Sequence, residues 1–394
     1  MSPNNRLGVL LVSGRMTHQE NYAPAFAAEP RCRLVAVSDE RNVPSERAEL
    51  NRQLAQDVGI PYISDLDAAL SRQDVQVVSI CTEPERRGAV AVRCAEAGKH
   101  VYMDKPMAGS LPAAQAVVCA VQTAGVRSHV FSLITTAWAE RAKRILASGQ
   151  LGDLLALHTD VLFAKGYGGT ARLGSPRQEH FPPQRLTFPD AKRELYAMGV
   201  YGVGLVRWLI GQEVRTVYGG TANYFFGEHQ QNNVEDFGLL MLSFQGGVTA
   251  TVAAGRIGWR SHPHDSFWGV RMVGTRAAAY VTPHRPRMEV YGEGSAWSPP
   301  PSSPKDPMGF WRATQQEAGL KPKTQWLPLV KGVDPQADVK YFVDCIQSGR
   351  ESEMSAPDGA AAVEILMAGY LSAATREVVS LPLRETGQEC VPTR

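Results

Sequence analysis

The chain has 394 residues, 44% hydrophobic and 20% charged, a globular composition with room for two or three domains. Lys and Arg number 41 against 39 Asp and Glu, and the net charge of +2 gives no electrostatic footprint for nucleic acid or an acidic membrane surface. No apolar run approaches the ~18 residues that span a bilayer, and Leu7–Val12 falls short of a secretory h-region of about 7–15 residues, so no membrane partner and a cytoplasmic location are expected.

Strand and helix signals alternate from residue 7 to about 127. Leu7–Val12 is a short apolar strand, and Gln19–Ala28 can be helical. Arg33–Val37 is a second strand, and Glu46–Val58 has helical spacing that stops at Gly59. Asp65–Ser71 makes a short helix, Val75–Cys81 an apolar strand, and Glu85–Ala97 a helix closed by Gly98. His100–Met103 and Pro112–Ala124 continue the alternation. Near-continuous apolar strands with helical crossovers predict a parallel sheet covered on both faces. The second half reads differently. Glu140–Ser148 is helical, while Leu154–Phe163, Val214–Phe225, Phe237–Phe244 and Val248–Ala254 read as strands. Gln245-Gly246-Gly247 forms a tight hairpin turn between the last two. Helices at Gln336–Ser348, and at Asp358–Glu377 with Asp358 as N-cap, close the chain. The expected class is α/β: an N-terminal dinucleotide-binding domain over 1–127, then an α/β domain over 128–394 with a large, mostly antiparallel sheet. Ala164–Glu194 and the proline-rich Ser298–Pro307 read as loops, and loops that long are functional or disordered.

Two features at the strand ends could carry chemistry. Leu7–Val12 runs into Ser13-Gly14, and Asp39 ends the next strand 25 residues after Gly14. In a dinucleotide fold, glycine lets the first turn approach the pyrophosphate, and an acid about 20 residues on binds the adenosine ribose. Only Gly14 is present; Val12 and Thr17 stand where the outer glycines would be. A βαβ turn with a solvated acid reads the same way. Farther on, Val101-Tyr102-Met103 delivers Asp104-Lys105-Pro106 to the carboxyl edge of the sheet, where Pro106 restricts Lys105. A lysine pinned there can move a proton, or can pair with Asp104.

The stretch Val77–Gly109, with Pro84, Ala97-Gly98-Lys99, Val101 and Asp104-Lys105-Pro106, resembles the Gfo/Idh/MocA oxidoreductases. The resemblance continues through Gly149–Asp153, Met198–Gly211, Val234-Glu235-Asp236 and the C-terminal helix ending near Leu381-Pro382. It implies a Rossmann domain followed by an α/β sheet domain, an NAD or NADP cofactor, and a sugar, cyclitol or related polyol as substrate. It places Gly14, Asp39, Thr82, Pro84, Asp104 and Lys105 at the cofactor and makes Lys105 catalytic. Tyr201, in Gly199-Val200-Tyr201, falls where many members have a histidine and the glucose–fructose oxidoreductase branch has tyrosine. The motif's aspartate is Ala197, and the histidine after the Thr-x-Pro turn falls at Gly88. A homodimer or homotetramer through the C-terminal sheet is implied as well.

Asp39 favours NAD(H), since a carboxylate accepts from a ribose 2′-hydroxyl and repels a 2′-phosphate, although Arg41 lies close enough to hold phosphate. A free tyrosine has a pKa of about 10; Lys105 and an oxidised nicotinamide are expected to lower that of Tyr201 and make it the proton acceptor. His262 and His264 could face a metal, but a polar loop is the commoner origin of such a pair, and no metal is expected. Lys165, Arg172, Arg177, Arg185, Lys192 and Arg193 would suit a carboxylated substrate, or a solvated surface, and His180 of that loop is expected in solvent. Trp208, Trp259, Trp268 and Trp311 could stack on sugar faces, with Trp208 better placed as core. The six cysteines are scattered and read as reduced thiols. Two other functions fit the same features: NAD kept as a prosthetic group in redox-neutral lyase or glycosidase chemistry, or a non-catalytic ligand-binding protein.

Overall fold

The computed structural model describes residues 6–174, 177–180, 183–258, 266–283, 287–292, 323–326 and 331–383. The N-terminal part runs β1 (Leu7–Val12), α1 (Gln19–Ala28), β2 (Cys32–Ser38), α2 (Ser45–Val58), β3 (Tyr62–Ile63), α3 (Leu66–Leu70), β4 (Val77–Ile80), α4 (Pro84–Glu96), β5 (His100–Met103), α5 (Leu111–Ala124) and β6 (Ser128–Val130). The six strands form one sheet in the order β3-β2-β1-β4-β5-β6, and every pair is parallel. All four residues of β4 are buried, as are Val9–Val12 of β1, because helices cover both faces. The strand order reverses between β1 and β4, which opens a crevice at the carboxyl ends of the strands.

The chain continues through α6 (Ala137–Ala147), β7 (Leu154–Phe163), α7 (Glu194–Ile210), β8 (Val214–Ala222), α8 (Gly227–Gln231), β9 (Phe237–Phe244), β10 (Thr249–Arg256), β11 (Ser266–Gly274), β12 (Ala277–Val281), β13 (Arg287–Gly292), β14 (Lys323–Trp326) and β15 (Val379–Ser380). These nine strands order as β14-β13-β12-β11-β7-β10-β9-β8-β15; only β7 and β10 pair in parallel. The β9–β10 hairpin closes as expected, with Gly247 at φ 84° and Phe244 N donating to Val248 O at 2.9 Å.

Alternation in β9 buries Gly238, Leu240, Leu242 and Phe244. That inner face packs on α7 and on a helix spanning Ala356–Thr375. The Ala356–Thr375 helix lies close to β8, since a Cβ on Gly219 would sit 2.4 Å from Gly369 O. Its N-cap is Ser355 rather than Asp358, which stands at the third position and closes a capping box with Ser355. A further helix, Pro335–Ser348, returns to pack on α1. Its Asp338 accepts from Tyr102 Oη at 2.8 Å and lies 2.8 Å from His129 Nε2, all three fully buried. Helix α7 begins at Glu194, the last residue of the stretch read as a loop. Cys32, Cys81, Cys94 and Cys345 are buried free thiols. Cys119 departs from the expected reduced state, being disulfide-bonded. Among the described residues no helix is long and apolar enough to cross a membrane.

Candidate active site

Three neighbouring strands bring the expected residues to one edge. β1 runs into Ser13-Gly14, β4 leads toward Thr82, and β5 delivers Asp104-Lys105. Ser13 has φ 75° and Met16 φ 61°, left-handed values that a non-glycine residue seldom takes. Gly14 itself is required by helix packing, because a Cβ there would lie 2.5 Å from the Asn51 Cα of α2. The Oγ of Ser13, the Oγ1 of Thr82 and the Oδ1 of Asn51 are buried without hydrogen-bond partners. A native fold rarely leaves such groups unmatched unless something else completes them. Pro84 stands in the first turn of α4, where a missing N–H costs nothing. Asp39 follows β2 and is fully buried. It accepts from Arg86 Nη1 at 2.6 Å, Arg86 Nη2 at 3.2 Å and Asn51 Nδ2 at 2.9 Å.

Asp104 anchors the turn that carries Lys105. Its Oδ1 accepts from Tyr22 Oη at 2.7 Å and lies 2.9 Å from His18 Nδ1; its Oδ2 accepts from Arg87 Nη2 at 3.1 Å. Burial alone would raise its pKa, but the charges of His18, Arg87 and Lys105 and the His18 hydrogen bond outweigh it. Asp104 is held well below the usual carboxylate range. Arg87 also donates to Thr82 O and Pro106 O, so one buried guanidinium ties the ends of β4 and β5 together. The Lys105–Pro106 bond is cis.

Lys105 is only 7% exposed. Its Nζ donates to Ala197 O of α7 at 2.8 Å and lies 4.3 Å from the centroid of the Tyr201 ring. Burial pulls its pKa down to about 8, with Lys192 and Arg87 acting the same way and Asp104 and Glu194 opposing. Ala197 and Tyr201 are four apart and share the helix face turned to this lysine. Tyr201 also meets Trp268 at 5.8 Å and Phe131 at 6.1 Å between ring centroids. The expectation of a lowered Tyr201 pKa is not met. Burial and the negative charges of Asp104 and Asp338 push it well above its ordinary value. Lys105 faces the ring rather than pairing with the hydroxyl.

Sequence reading missed several neighbours. Arg87, one residue before Gly88, is the α4 residue that reaches the Asp104 turn. Gly88 instead faces α5, where a Cβ would meet that of Ala113 at 3.0 Å. Glu194 stands one turn before Ala197, and its charge acts on Lys105. Its Oε1 lies 3.4 Å from Arg256 Nε and 3.7 Å from His229 Nε2, and both ring nitrogens of the buried His229 lack hydrogen-bond partners. These three residues come from α7, α8 and the end of β10, so no local motif could have grouped them.

Other candidates go elsewhere. Arg177 and Arg193 are buried against Glu179 and Glu235, not presented to a ligand. Lys192 and His180 are exposed. Trp208 is half-buried against the core, with Lys143 Nζ 4.7 Å from its ring. Among the described residues no three His, Cys, Asp or Glu side chains group as a metal site. His262, His264, Trp259, Trp311 and Ser298–Pro307 lie outside the described residues.

The family model described as the oxidoreductase family with an NAD-binding Rossmann fold matches residues 8–132, and the GFO/IDH/MocA C-terminal domain matches 139–297. Dehydrogenase AclE of Aspergillus oryzae is 31% identical over 175 residues, 42% of this chain and 47% of that one. The scyllo-inositol 2-dehydrogenase (NAD(+)) of Bacillus subtilis is 26% identical over 257 residues, 64% of this chain and 67% of the relative. The chain thus spans about half the length of the first and two thirds of the second. The WlbA dehydrogenase of Bordetella pertussis, solved with NADH and UDP-GlcNAcA, superposes with a TM-score of 0.70 at 20% identity, covering 97% of this chain and 99% of its own. The unpartnered Ser13, Thr82 and Asn51 oxygens at the ends of β1 and β4 fit a dinucleotide across the crevice. Two matching models over consecutive domains, on a six-stranded parallel sheet followed by a nine-stranded mixed one, place the chain in the Gfo/Idh/MocA oxidoreductase family, with an NAD-binding Rossmann domain.

Proposed function

We propose that the chain interconverts a carbohydrate-like alcohol and its ketone with NAD(H), and that Lys105 takes the hydroxyl proton in the oxidising direction. The observation that carries this is the buried Lys105, held by Ala197 O where the Rossmann edge meets α7. The bound nicotinamide supplies the two-electron oxidation of the alcohol carbon. Ser13, Gly14, Thr82 and Pro84 would hold the dinucleotide at the ends of β1 and β4. Asp104 keeps the Lys105 backbone in place through His18, Tyr22 and Arg87. Lys105, with its pKa pulled down to about 8, is partly neutral near pH 7 and can accept a proton. Tyr201 beside it packs in turn on Trp268, and Trp268 on Phe163. A relative named as an inositol dehydrogenase and a similar structure bound to a nucleotide sugar acid support the polyol class. Reduction of NAD+ in a screen of sugars, cyclitols and sugar acids tests the reading; no turnover with any of them contradicts it.

The outer face of the nine-stranded sheet supports assembly with a second copy. Tyr218 of β8 pairs with Met241 of β9, and Leu239 and Phe267 share that face, all four exposed. Phe267 is joined to them through β7 and β10. Burying exposed apolar area of this kind drives association. A Leu239→Glu, Met241→Glu double variant is expected to elute at half the wild-type mass or less in light-scattering chromatography. A monomeric wild type would remove this part of the proposal.

A further inference from the structure

Asp39 stands where a dinucleotide fold carries its ribose acid, yet it has no acceptor left to offer. An ionised carboxylate presents about four lone-pair positions. Oδ1 takes Arg86 Nη1 at 2.6 Å and Glu40 N at 2.9 Å; Oδ2 takes Asn51 Nδ2 at 2.9 Å and Arg86 Nη2 at 3.2 Å. Asp39 is 0% exposed, whereas the Arg86 side chain is 24% exposed. The group that meets the crevice is the guanidinium, not the acid.

Arg86 also donates through Nε to Glu83 at 2.6 Å and through Nη1 to Glu40 at 3.1 Å. It thereby joins the end of β2 to the start of α4. Beside it opens a cavity of about 340 Å³. Arg41, Arg86 and Arg93 line it against Glu40, Asp65 and Asp67, three cations to three anions. Arg41 pairs with Asp65, and Arg93 with Asp67 and Glu40. Each carboxylate around the acid thus has a guanidinium against it, with Arg86 shared among Asp39, Glu40 and Glu83, and these planar groups suit phosphate oxygens.

We infer that Arg86 sets the cofactor selectivity of this chain: by occupying and neutralising Asp39, it removes the repulsion that would exclude a 2′-phosphate, so that NADP(H) is accepted alongside NAD(H). This rests on the proposed nicotinamide-dependent function and extends its cofactor class. With Arg86 in place, a 2′-hydroxyl gains no free carboxylate oxygen, and a 2′-phosphate meets a cation instead of a bare anion. Without Arg86, Asp39 keeps only Asn51 and the Glu40 amide. Two acceptor positions then open to ribose hydroxyls, and the unneutralised charge repels phosphate.

The test is equilibrium titration of the full chain with NADH and with NADPH, read by quenching of protein fluorescence. Wild type is expected to bind the two with dissociation constants within about tenfold of one another, since neither contact is favoured by a full charge. Arg86→Gln should shift the ratio toward NADH by at least about tenfold, chiefly through weaker NADPH binding. Asp39→Asn should shift it the opposite way, because Arg86 is then free for phosphate. A wild type that binds NADH and excludes NADPH overturns the inference and leaves the proposed function standing. So does an Arg86→Gln ratio equal to that of wild type, with Asp39→Asn serving as the second arm if that variant does not fold. Binding of neither cofactor by wild type overturns the proposed function and the inference together.

Discussion

Lys105→Met is expected to lower kcat/KM by about 10²–10⁴-fold, the usual scale for a general acid–base group. Methionine keeps an unbranched stem of similar volume in a site that is 7% exposed, so packing is nearly conserved. What disappears is the amine 2.8 Å from Ala197 O, and with it a buried group whose pKa of about 8 suits proton transfer near neutrality. On the proposed reading, dinucleotide binding draws on Ser13, Thr82 and the Asp39–Arg86 end of the crevice, and it should change by no more than about threefold. Steady-state kinetics beside an NADH titration separate these quantities. Near-normal turnover in the variant removes Lys105 from the mechanism.

Arg87→Met should cost about 3–5 kcal/mol of stability, the range for removing one partner of a buried ion pair. Arg87 is 3% exposed and serves three acceptors: Thr82 O, Pro106 O and Asp104. Its loss leaves two carbonyls unmet and takes away one of the charges that hold Asp104 ionised. A melting temperature lower by roughly 10 °C is expected. Activity should fall as well, because the turn bearing Lys105 loses its tie to β4. Arg87→Lys distinguishes positioning from stability alone. Lysine restores the charge but cannot serve all three acceptors from one planar fork. It should recover part of the lost stability while kcat stays low. Full recovery of kcat with partial recovery of stability would make Arg87 a structural residue only.

The parallel sheet was legible because buried strands such as Val77–Ile80 are apolar on both faces, which leaves a continuous run rather than an alternation. Helix ends were legible where a left-handed glycine follows them, as at Gly59 and Gly98. The placement of Lys105 at the end of β5 was legible because a strand and a proline fix it from both sides. The site's support was not. Asp39 and Arg86 are 47 positions apart, and nothing local marks an arginine as the partner of that acid. Gly88 faces α5, whereas Arg87, one residue earlier and about 100° around the helix, is the side chain that reaches Asp104. The start of α7 was hidden for a related reason. Glu194 and Arg193 look like loop charges, yet both are buried by partners on other elements: Arg256 and His229 for one, Glu179 and Glu235 for the other. Composition and periodicity report burial by apolar contact and are silent about burial by ion pairing.

The claim that Lys105, rather than Tyr201, takes the proton is tested most directly by the pH dependence of kcat/KM for alcohol oxidation. That quantity reports groups of the free enzyme. The neutral amine is the base, and its fraction grows as pH rises through the lysine pKa. Wild-type kcat/KM should therefore climb with pH and level off above an inflection near 8. The phenolate of Tyr201 is not formed in that range, since burial, Asp104 and Asp338 push its pKa up. Tyr201→Phe should keep the inflection near 8, at whatever amplitude remains, and Lys105→Met should abolish it. An inflection that survives in Lys105→Met and vanishes in Tyr201→Phe would contradict the assignment and make the tyrosine hydroxyl the proton acceptor.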